Sequence, residues 1–288
     1  MSTSTHHPLV SIGMPAFNGE KYARAAIASI LKQTYSNIEL IISDNASSDR
    51  TRTICAEMAA GDPRIKLSIN ERNVGAAENF CIVQRAAQGK YFMWAGVHDL
   101  WHEELIERSV EALEAHPTAV IAGADCHWID GNGNPLAQQS GWIDTRGMSC
   151  VERFFAVMWG NMHPILGLIR MEALKRTRGI QAAMGSDLIL LEELARIGDF
   201  IHVPGTHWYR RELRGRETYK QMLKRYRSKD YAISRGLLDR WFPTVSLSLR
   251  LLQVAWHLPL GLISRVLVCI SVLGSLPGRY IGARLRRE

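Results

Sequence analysis

The sequence predicts an α/β fold in which a mostly parallel, twisted sheet is flanked by helices. Short apolar runs alternate with segments of helical periodicity from residue 9 to about residue 124. This alternation is typical of βαβ units, whose strands are parallel. Of the 288 residues, 47% are hydrophobic and 22% are charged, as in globular domains. The composition changes near Pro243, where we expect a C-terminal helical, amphipathic extension to begin.

The predicted elements follow one another in βαβ order. Strands are predicted at 9–14, 38–43, 64–69, 91–95, 119–124, 165–170 and 200–203, and helices at 20–33, 47–60, 76–87, 102–115, 150–159 and 186–197. Ser47 and Asp49 are typical residues for a helix start. Turn-forming residues 130–134 predict a β-hairpin between His127 and Ala137.

Charge and cysteine content restrict the possible partners. The formal charge of +7 suits an anionic partner. The arginines of the C-terminal region lie among apolar residues, which favours a phospholipid surface over nucleic acid. The five cysteines are scattered without a CxxC pair, and the N-terminus lacks a secretory pattern. We therefore expect a cytoplasmic protein with reduced thiols.

Polar loops follow three of the predicted strands. They comprise residues 15–19 after the first strand, 44–49 after the second and 96–99 after the fourth. Open α/β sheets bind ligands beyond the carboxyl ends of their strands. Carboxylates, amides and small residues at that edge suit a phosphorylated, sugar-bearing nucleotide.

Three blocks resemble family-2 glycosyltransferases: PLVSIGMPAFNGE (8–20), QTYSNIELIISDNASSDRT (33–51) and NVG (73–75). The resemblance is dense over residues 8–130. It implies a GT-A fold, which is Rossmann-like, and inverting transfer of a sugar from a nucleotide-diphosphate donor. We accordingly expect a flexible N-terminus (1–8), a nucleotide-sugar-binding half (9–130), an acceptor-binding half (131–215) and a membrane-associating helical region (216–288).

The resemblance also implies donor-binding residues. The turn formed by Pro15, Ala16, Phe17 and Asn18 would lie against the nucleoside, and Asp44 would accept a hydrogen bond from the base. An alternative is that Asp44 only builds a capped turn with Asn45 and Ser47. Asn73 and Gly75 would lie close to the donor, although an ordinary helix start explains Gly75 almost equally well.

The family's acidic metal motif is reduced here to Val97-His98-Asp99. In an extended segment Val97 and Asp99 would share a face, so Asp99 is the predicted ligand of a divalent cation, Mg²⁺ or Mn²⁺. His98 would be a second ligand, better suited to Mn²⁺, or would bind a phosphate. A zinc site at His98 and His102 is disfavoured, since His98 precedes the helix. The reduced motif leaves open a noncatalytic nucleotide-sugar binder or scaffold.

The resemblance places the catalytic base at a helix start in the second half, where Asp187 is the candidate. An ordinary N-terminal helix residue is the alternative. Glu192 and Glu193 are expected to form a solvated face. Arg210 is expected to offset the charge of the leaving nucleotide, or simply to flank aromatic core residues.

The segment 247–276 is rich in Leu, Val and Ile but is interrupted by arginines, so it lacks the roughly 18 uncharged apolar residues of a span. An in-plane or re-entrant element is favoured over a helix docked on the protein's own core or on a twin subunit, and over a true span.

We expect an inverting, cation-assisted glycosyltransferase at the inner face of the plasma membrane, using a saccharide or lipid-linked acceptor in cell-envelope or exopolysaccharide synthesis. A homo-oligomer is compatible with the sequence. A sugar nucleotidyltransferase is disfavoured, because no Gly-rich, arginine-bearing loop follows the first strand.

Overall fold

A computed structural model describes residues 7–140, 143–160, 163–213, 221 and 237–285, so most of the predicted N-terminal segment 1–8 lies outside the described residues. The strands are β1 (Val10–Ala16), β2 (Ile38–Asp44), β3 (Ile65–Ile69), β4 (Tyr91–Trp94), β5 (Leu100–Trp101), β6 (Ala119–Ile129), β7 (Pro135–Ser140), β8 (Leu168–Arg170) and β9 (Asp199–Arg211). The helices are α1 (Ala23–Leu31), α2 (Thr51–Gly61), α3 (Ala76–Arg85), α4 (Leu105–Ala115), α5 (Cys150–Trp159), α6 (Met171–Leu174), α7 (Ser186–Ile197), α8 (Leu237–Trp241), α9 (Pro243–Trp256) and α10 (Leu262–Leu285).

The described strands form one sheet in the order β3-β2-β1-β4-β8-β6-β9-β5, with β7 paired to β6. Strands β1 to β4 are parallel. Strand β8 is antiparallel to both β4 and β6, and β6 is parallel to β9. The predicted α/β class is confirmed, while the second half of the sheet is mixed. Because β8 reverses direction between β4 and β6, the carboxyl ends of β1, β2, β4, β6 and β9 lie at one edge.

Helices cover both faces of the sheet, as predicted. On one face, apolar residues of α1, α2 and α4 pack on the strands, with Ile30 and Ile106 fully buried. On the other face, α3, α5 and α7 pack around Phe92 and Trp94. All seven residues of β2 are buried, because this strand is covered on both sides.

Two strands are longer than their apolar runs predicted. The run ends at Ala124, yet β6 continues to Ile129, with Cys126 buried towards the core and His127 exposed. This alternation is that of a strand with one solvated face, which a search for continuous apolar runs misses. Strand β9 likewise extends from Asp199 to Arg211 instead of ending at Val203. The short β5 and α6 were not predicted.

The C-terminal helices dock on the protein's own core. Leu247 and Leu251 of α9 and Val272 of α10 form a third apolar cluster with α5 and α7. The alternative of a helix docked on the protein's own core is therefore confirmed for the inner face of α9. Among the described helices, none is long and apolar enough to cross a membrane.

Candidate active site

The loops after β1 and β2 are joined by hydrogen bonds. Asn18, in the left-handed region with φ +47°, donates its amide to Ser47 Oγ (3.0 Å). Its side-chain oxygen accepts from the Ser48 amide (2.9 Å), and the Gly19 amide donates to Thr51 Oγ1 (2.7 Å). These bonds hold residues 17–19 beside the end of β2, whereas Pro15 and Ala16, predicted to lie in this turn, belong to β1. The Phe17 side chain is 42% exposed there, and so offers an apolar surface at the sheet edge.

Asp44 ends β2 with a side chain that is fully buried. Its Oδ2 accepts from the Ser47 amide (3.2 Å), as the capped-turn interpretation expects. Its Oδ1 is buried and has no hydrogen-bond partner among the described residues. Buried carboxylate oxygens are normally hydrogen-bonded, so this oxygen calls for a donor from a ligand or from water. The two interpretations therefore differ at Oδ1: the plain turn leaves this oxygen without a donor, whereas base binding would supply one.

The loop after β3 is tied to the loop after β2 through Asn45. Its Oδ1 accepts from the Val74 amide (2.9 Å), and its Nδ2 donates to Asn73 Oδ1 (2.9 Å). Asn73 Oδ1 also accepts from the Gly75 amide (2.8 Å), and Gly75 has φ +87°, a value that favours glycine. The Asn73 side-chain oxygen therefore shapes the loop, and Gly75 begins α3 at the edge of the proposed donor site.

The metal-motif loop is a tight turn, so the predicted alternation of Val97 and Asp99 is wrong. The Asp99 amide donates to the Gly96 carbonyl (3.2 Å), closing a four-residue turn. Val97 packs in the core against Gly19, which brings this loop to the loop after β1. Asp99 is 3% exposed, and its Oδ1 accepts from the Arg211 amide (2.9 Å). A Cβ on Gly96 would lie 2.6 Å from Asp99 Oδ2, so glycine is needed for this close approach.

The electrostatic setting of Asp99 is that of a buried acid facing positive charge. Burial raises the pKa of its carboxyl, and His98, the Arg211 amide and the side chains of Arg210 and Arg211 act in the opposite direction. His98 Nε2 lies 3.7 Å from Asp99 Oδ1. A cation placed here would stabilise the ionised carboxylate, which burial disfavours.

Arg211 was not predicted, yet it joins four parts of the site. Its Nε donates to the His98 carbonyl (3.0 Å), and its Nη1 donates to the Asp130 carbonyl (2.9 Å). The guanidinium also lies 4.5 Å from the centroid of the Tyr22 ring, at the start of α1. The predicted Arg210 instead lies over the Trp128 ring at 4.6 Å, half-buried. Arg211 therefore holds the Asp99 loop, and Arg210 retains more freedom to meet a ligand.

The predicted metal site has few protein ligands. Among the described residues, no group of three or more His, Cys, Asp or Glu side chains is arranged to hold a metal ion. Asp99 supplies one carboxylate and the neighbouring His98 one imidazole. Such a set fits a hard cation when phosphate oxygens of a bound substrate complete the shell.

Asp187 lies in the first turn of α7, where its Oδ1 accepts from the Leu188 amide (2.9 Å). Helix α7 ends beside Asp199, whose amide bonds to Thr118 at the amino end of β6. Twelve residues of helix span about 18 Å, so the start of α7 points back towards the carboxyl edge of the sheet. The first turn of α7, which contains Asp187, therefore lies towards the carboxyl edge of the sheet.

The expected solvated face at Glu192 and Glu193 is wrong. Glu192 is fully buried and Glu193 is 7% exposed. Glu193 accepts from the Arg178 amide (2.8 Å) and pairs with the Arg178 guanidinium. Burial of a carboxylate is tolerated because it is paired in this way. Glu193 thereby fixes the segment that leads into Asp187.

A histidine row crosses three neighbouring strands next to the Asp99 loop. His207 lies with its ring centroid 4.8 Å from those of His102 and His127, and its Nε2 is 2.9 Å from the Tyr209 hydroxyl. Burial lowers the pKa of His207, as do His127 and His102, while Asp125 opposes the shift. The sequence did not reveal this cluster, because it depends on the strand register.

The sheet topology and the loops that meet at the carboxyl ends of its strands define an α/β scaffold of the kind that binds a nucleotide at that edge. The model of the glycosyl transferase family 2 matches residues 11–177, more than half of the chain. The chain therefore belongs to glycosyl transferase family 2, and the resemblance stated from its motifs is confirmed.

Curated relatives match between a third and two fifths of the chain. An uncharacterised glycosyltransferase of Rickettsia typhi is 38% identical over 113 residues, which are 39% of this chain and 34% of the relative. The Escherichia coli protein WfgD, named a UDP-Glc:alpha-D-GlcNAc-diphosphoundecaprenol beta-1,3-glucosyltransferase, is 39% identical over 105 residues, 36% of this chain and 41% of WfgD. The matched segment is thus less than half of each relative's length.

Solved structures show the fold over nearly the whole chain. S. aureus TarS 1–349 in complex with UDP-GlcNAc has a TM-score of 0.66 at 14% identity, covering 92% of this chain and 71% of that one. The mannosyltransferase PcManGT of Pyrobaculum calidifontis, in complex with GDP-Man and Mn²⁺, has a TM-score of 0.57 at 17% identity, covering 98% and 85%. The fold of this chain is the GT-A glycosyltransferase fold.

Proposed function

We propose that this chain is an inverting glycosyltransferase that moves a sugar from a nucleotide-diphosphate donor to a saccharide or lipid-linked acceptor. The observation that carries the proposal is the buried Asp44 Oδ1, without a partner among the described residues, at the strand end beside exposed Phe17. A ring N–H of a nucleobase would satisfy this oxygen, and the Phe17 ring would cover an apolar face of the base.

The donor would extend along the contacts that join the loops. Pro15, Ala16, Phe17 and Asn18 would hold the nucleoside, with Gly75 and the Asn73 loop at its far side. The diphosphate would lie at His98 and Asp99. Arg210 would approach its charge, since positive charge at the leaving group lowers the barrier to its departure.

A divalent cation fits the Asp99 end of this site. We expect Asp99, with His98, to hold Mg²⁺ or Mn²⁺ together with phosphate oxygens of the donor, a mode suited to hard cations. The cation would neutralise charge on the leaving diphosphate. The Mn²⁺ in the mannosyltransferase of the same fold supports this assignment.

The transfer step needs a base on the acceptor side. The acceptor hydroxyl oxygen would form a bond to the anomeric carbon while the bond from that carbon to the diphosphate oxygen breaks, with inversion. Asp187 would take the hydroxyl proton. The half-buried Asp187 at the start of α7 is the candidate because the topology directs it to the donor edge.

The acceptor class is inferred from a relative and from the C-terminal region. WfgD is named for a diphosphoundecaprenol acceptor and matches 105 residues of this chain. We expect a hexosyltransferase acting in cell-envelope or exopolysaccharide synthesis at the inner face of the plasma membrane, as a peripheral protein.

A noncatalytic nucleotide-sugar binder is the second candidate, favoured by the single carboxylate that the metal motif supplies. A panel of UDP-, GDP- and dTDP-sugars, each with and without Mn²⁺, is screened for a rise in melting temperature, since a donor that binds the folded state raises it. Donor hydrolysis is then measured for the donor that binds.

Three variants and one control separate the two candidates. Asp187→Asn should lower turnover by about 10²- to 10⁴-fold, the usual contribution of a general base, with donor protection retained. Asp99→Asn should lose most turnover and most response to Mn²⁺, and Asp44→Asn should lose donor protection. The control is Glu111→Gln on the exposed face of α4. Tight donor binding without turnover in the wild type identifies a binder, and absence of protection by every donor contradicts both candidates.

A further inference from the structure

The outer faces of α9 and α10 are apolar. On α9 the exposed residues Val245, Leu249 and Trp256 repeat at helical spacing. On α10 the exposed residues are Leu262, Ile263, Val266, Leu267, Ile270 and Leu273. At the helical angle of about 100° per residue these six lie within about 140° of arc. We call these nine residues the docking face.

The opposite side of α10 is apolar as well. Val268 and Val272 are buried with Leu251 and Val254 of α9. A helix that is hydrophobic all round is normally covered on every side. Here one side is covered by the protein, whereas Ile263 in the docking face is 78% exposed. Contiguous apolar surface of this kind marks an interaction site.

The charge around the docking face is of one sign. Residues 240–287 contain seven arginines and no lysine, aspartate or glutamate. Arg250 is paired with Asp239 (3.0 Å) inside the protein, and four of the others fall in 279–287. Trp241 and Trp256 are exposed in this region. Exposed tryptophans on an apolar helix face, in a segment whose sequence is rich in arginine, are typical of helices that lie at a lipid headgroup layer.

We propose that the docking face lies in the plane of an anionic phospholipid membrane, with its apolar side chains at the boundary between headgroups and acyl chains. Arginine-rich segments gain from negatively charged headgroups. A second copy of the chain would add a segment of like charge, because residues 240–287 of each copy contain arginines and no aspartate or glutamate. The proposal deepens the proposed function by naming the surface that reaches a lipid-linked acceptor, but vesicle binding does not depend on catalysis.

The test measures co-sedimentation of the full chain with sucrose-loaded vesicles. One set is pure phosphatidylcholine, and the other is equal parts of phosphatidylcholine and phosphatidylglycerol. Binding to the anionic vesicles should exceed binding to neutral ones by about fivefold for each arginine that reaches the surface. The triple variant Ile263→Glu/Leu267→Glu/Ile270→Glu should lose at least about tenfold in affinity, because charge replaces side chains that enter the lipid.

Leu136→Glu is the matched control. Leu136 is an exposed apolar residue on β7, far along the chain from the docking face. The Leu136→Glu protein should bind vesicles as the wild type does. A second variant, Leu249→Ser/Trp256→Ser, tests α9 without adding charge. Melting temperature and sedimentation velocity are recorded for each protein. Wild-type protein that stays unbound with both vesicle types, or triple-Glu protein that binds equally well, overturns the proposal. So does a wild-type dimer that the triple variant dissociates, because a second copy then covers the face. Donor protection on the same samples reports separately on the proposed function.

Discussion

Arg211→Met removes the group that joins the Asp99 loop to the rest of the site. The substitution deletes two hydrogen bonds from a charged donor to partly buried carbonyl groups, those of His98 and Asp130, each worth about 1.5 kcal/mol. It also deletes the contact with the Tyr22 ring, worth about 1 kcal/mol. We expect a loss of about 4 kcal/mol in the free energy of unfolding, which for a chain of this size lowers the melting temperature by about 8 °C or more.

Arg210→Met is the matched control, because the neighbouring arginine makes a single ring contact, with Trp128. Its expected loss is about 1 kcal/mol of stability, whereas the KM for the donor should rise. Arg211→Met should instead weaken the apparent affinity for Mn²⁺, since the His98 carbonyl is no longer held. Melting curves and donor hydrolysis with a Mn²⁺ titration are measured on both variants. If Arg210→Met is the more destabilised, or if Arg211→Met melts like the wild type, the assigned roles of the two arginines are wrong.

Two further predictions concern the same edge of the sheet: the effect of a substitution at Gly96 and the pH dependence of stability. Gly96→Ala should abolish most Mn²⁺-dependent hydrolysis and lower the melting temperature, because the new Cβ would meet Asp99 Oδ2 at 2.6 Å and displace a buried carboxylate; full activity would show that the turn is not needed. The free energy of unfolding, from urea titrations, should fall as the pH drops below about 6.5, because the lowered pKa of half-buried His207 means that the unfolded chain binds the proton more readily. His207→Gln should flatten that slope, and an unchanged slope would assign the pH dependence to other groups.

The ends of β1, β2 and β4 could be predicted from the sequence because they are local features. Each apolar run is closed by Pro, Asp or Gly, and parallel strands bring those ends to one edge. The position of Asp99 after β4 was therefore predictable. The burial of its side chain was not, because Asp99 Oδ1 accepts a hydrogen bond from the Arg211 amide, 112 residues away in sequence.

The length of β9 and the role of Arg211 were hidden by a register shift. Gly123 lies opposite His202 and Asp125 opposite His207, so Pro204 and Gly205 bulge out of a strand that then resumes. In the sequence, a proline followed by a glycine indicates the end of a strand. The burial of Glu193 was equally non-local, since its partner Arg178 lies in the loop before α7. Residues whose roles are set by pairing across the sheet require the structure.

Hydrogen–deuterium exchange tests most directly whether three strand ends form one site. It is measured on the wild type with and without the nucleotide sugar that raises its melting temperature. We expect slower exchange in the donor complex at residues 15–19, 44–49 and 96–99 together, with the Asp44→Asn protein unprotected at all three. Protection confined to one of these loops, or found elsewhere on the chain, would contradict it.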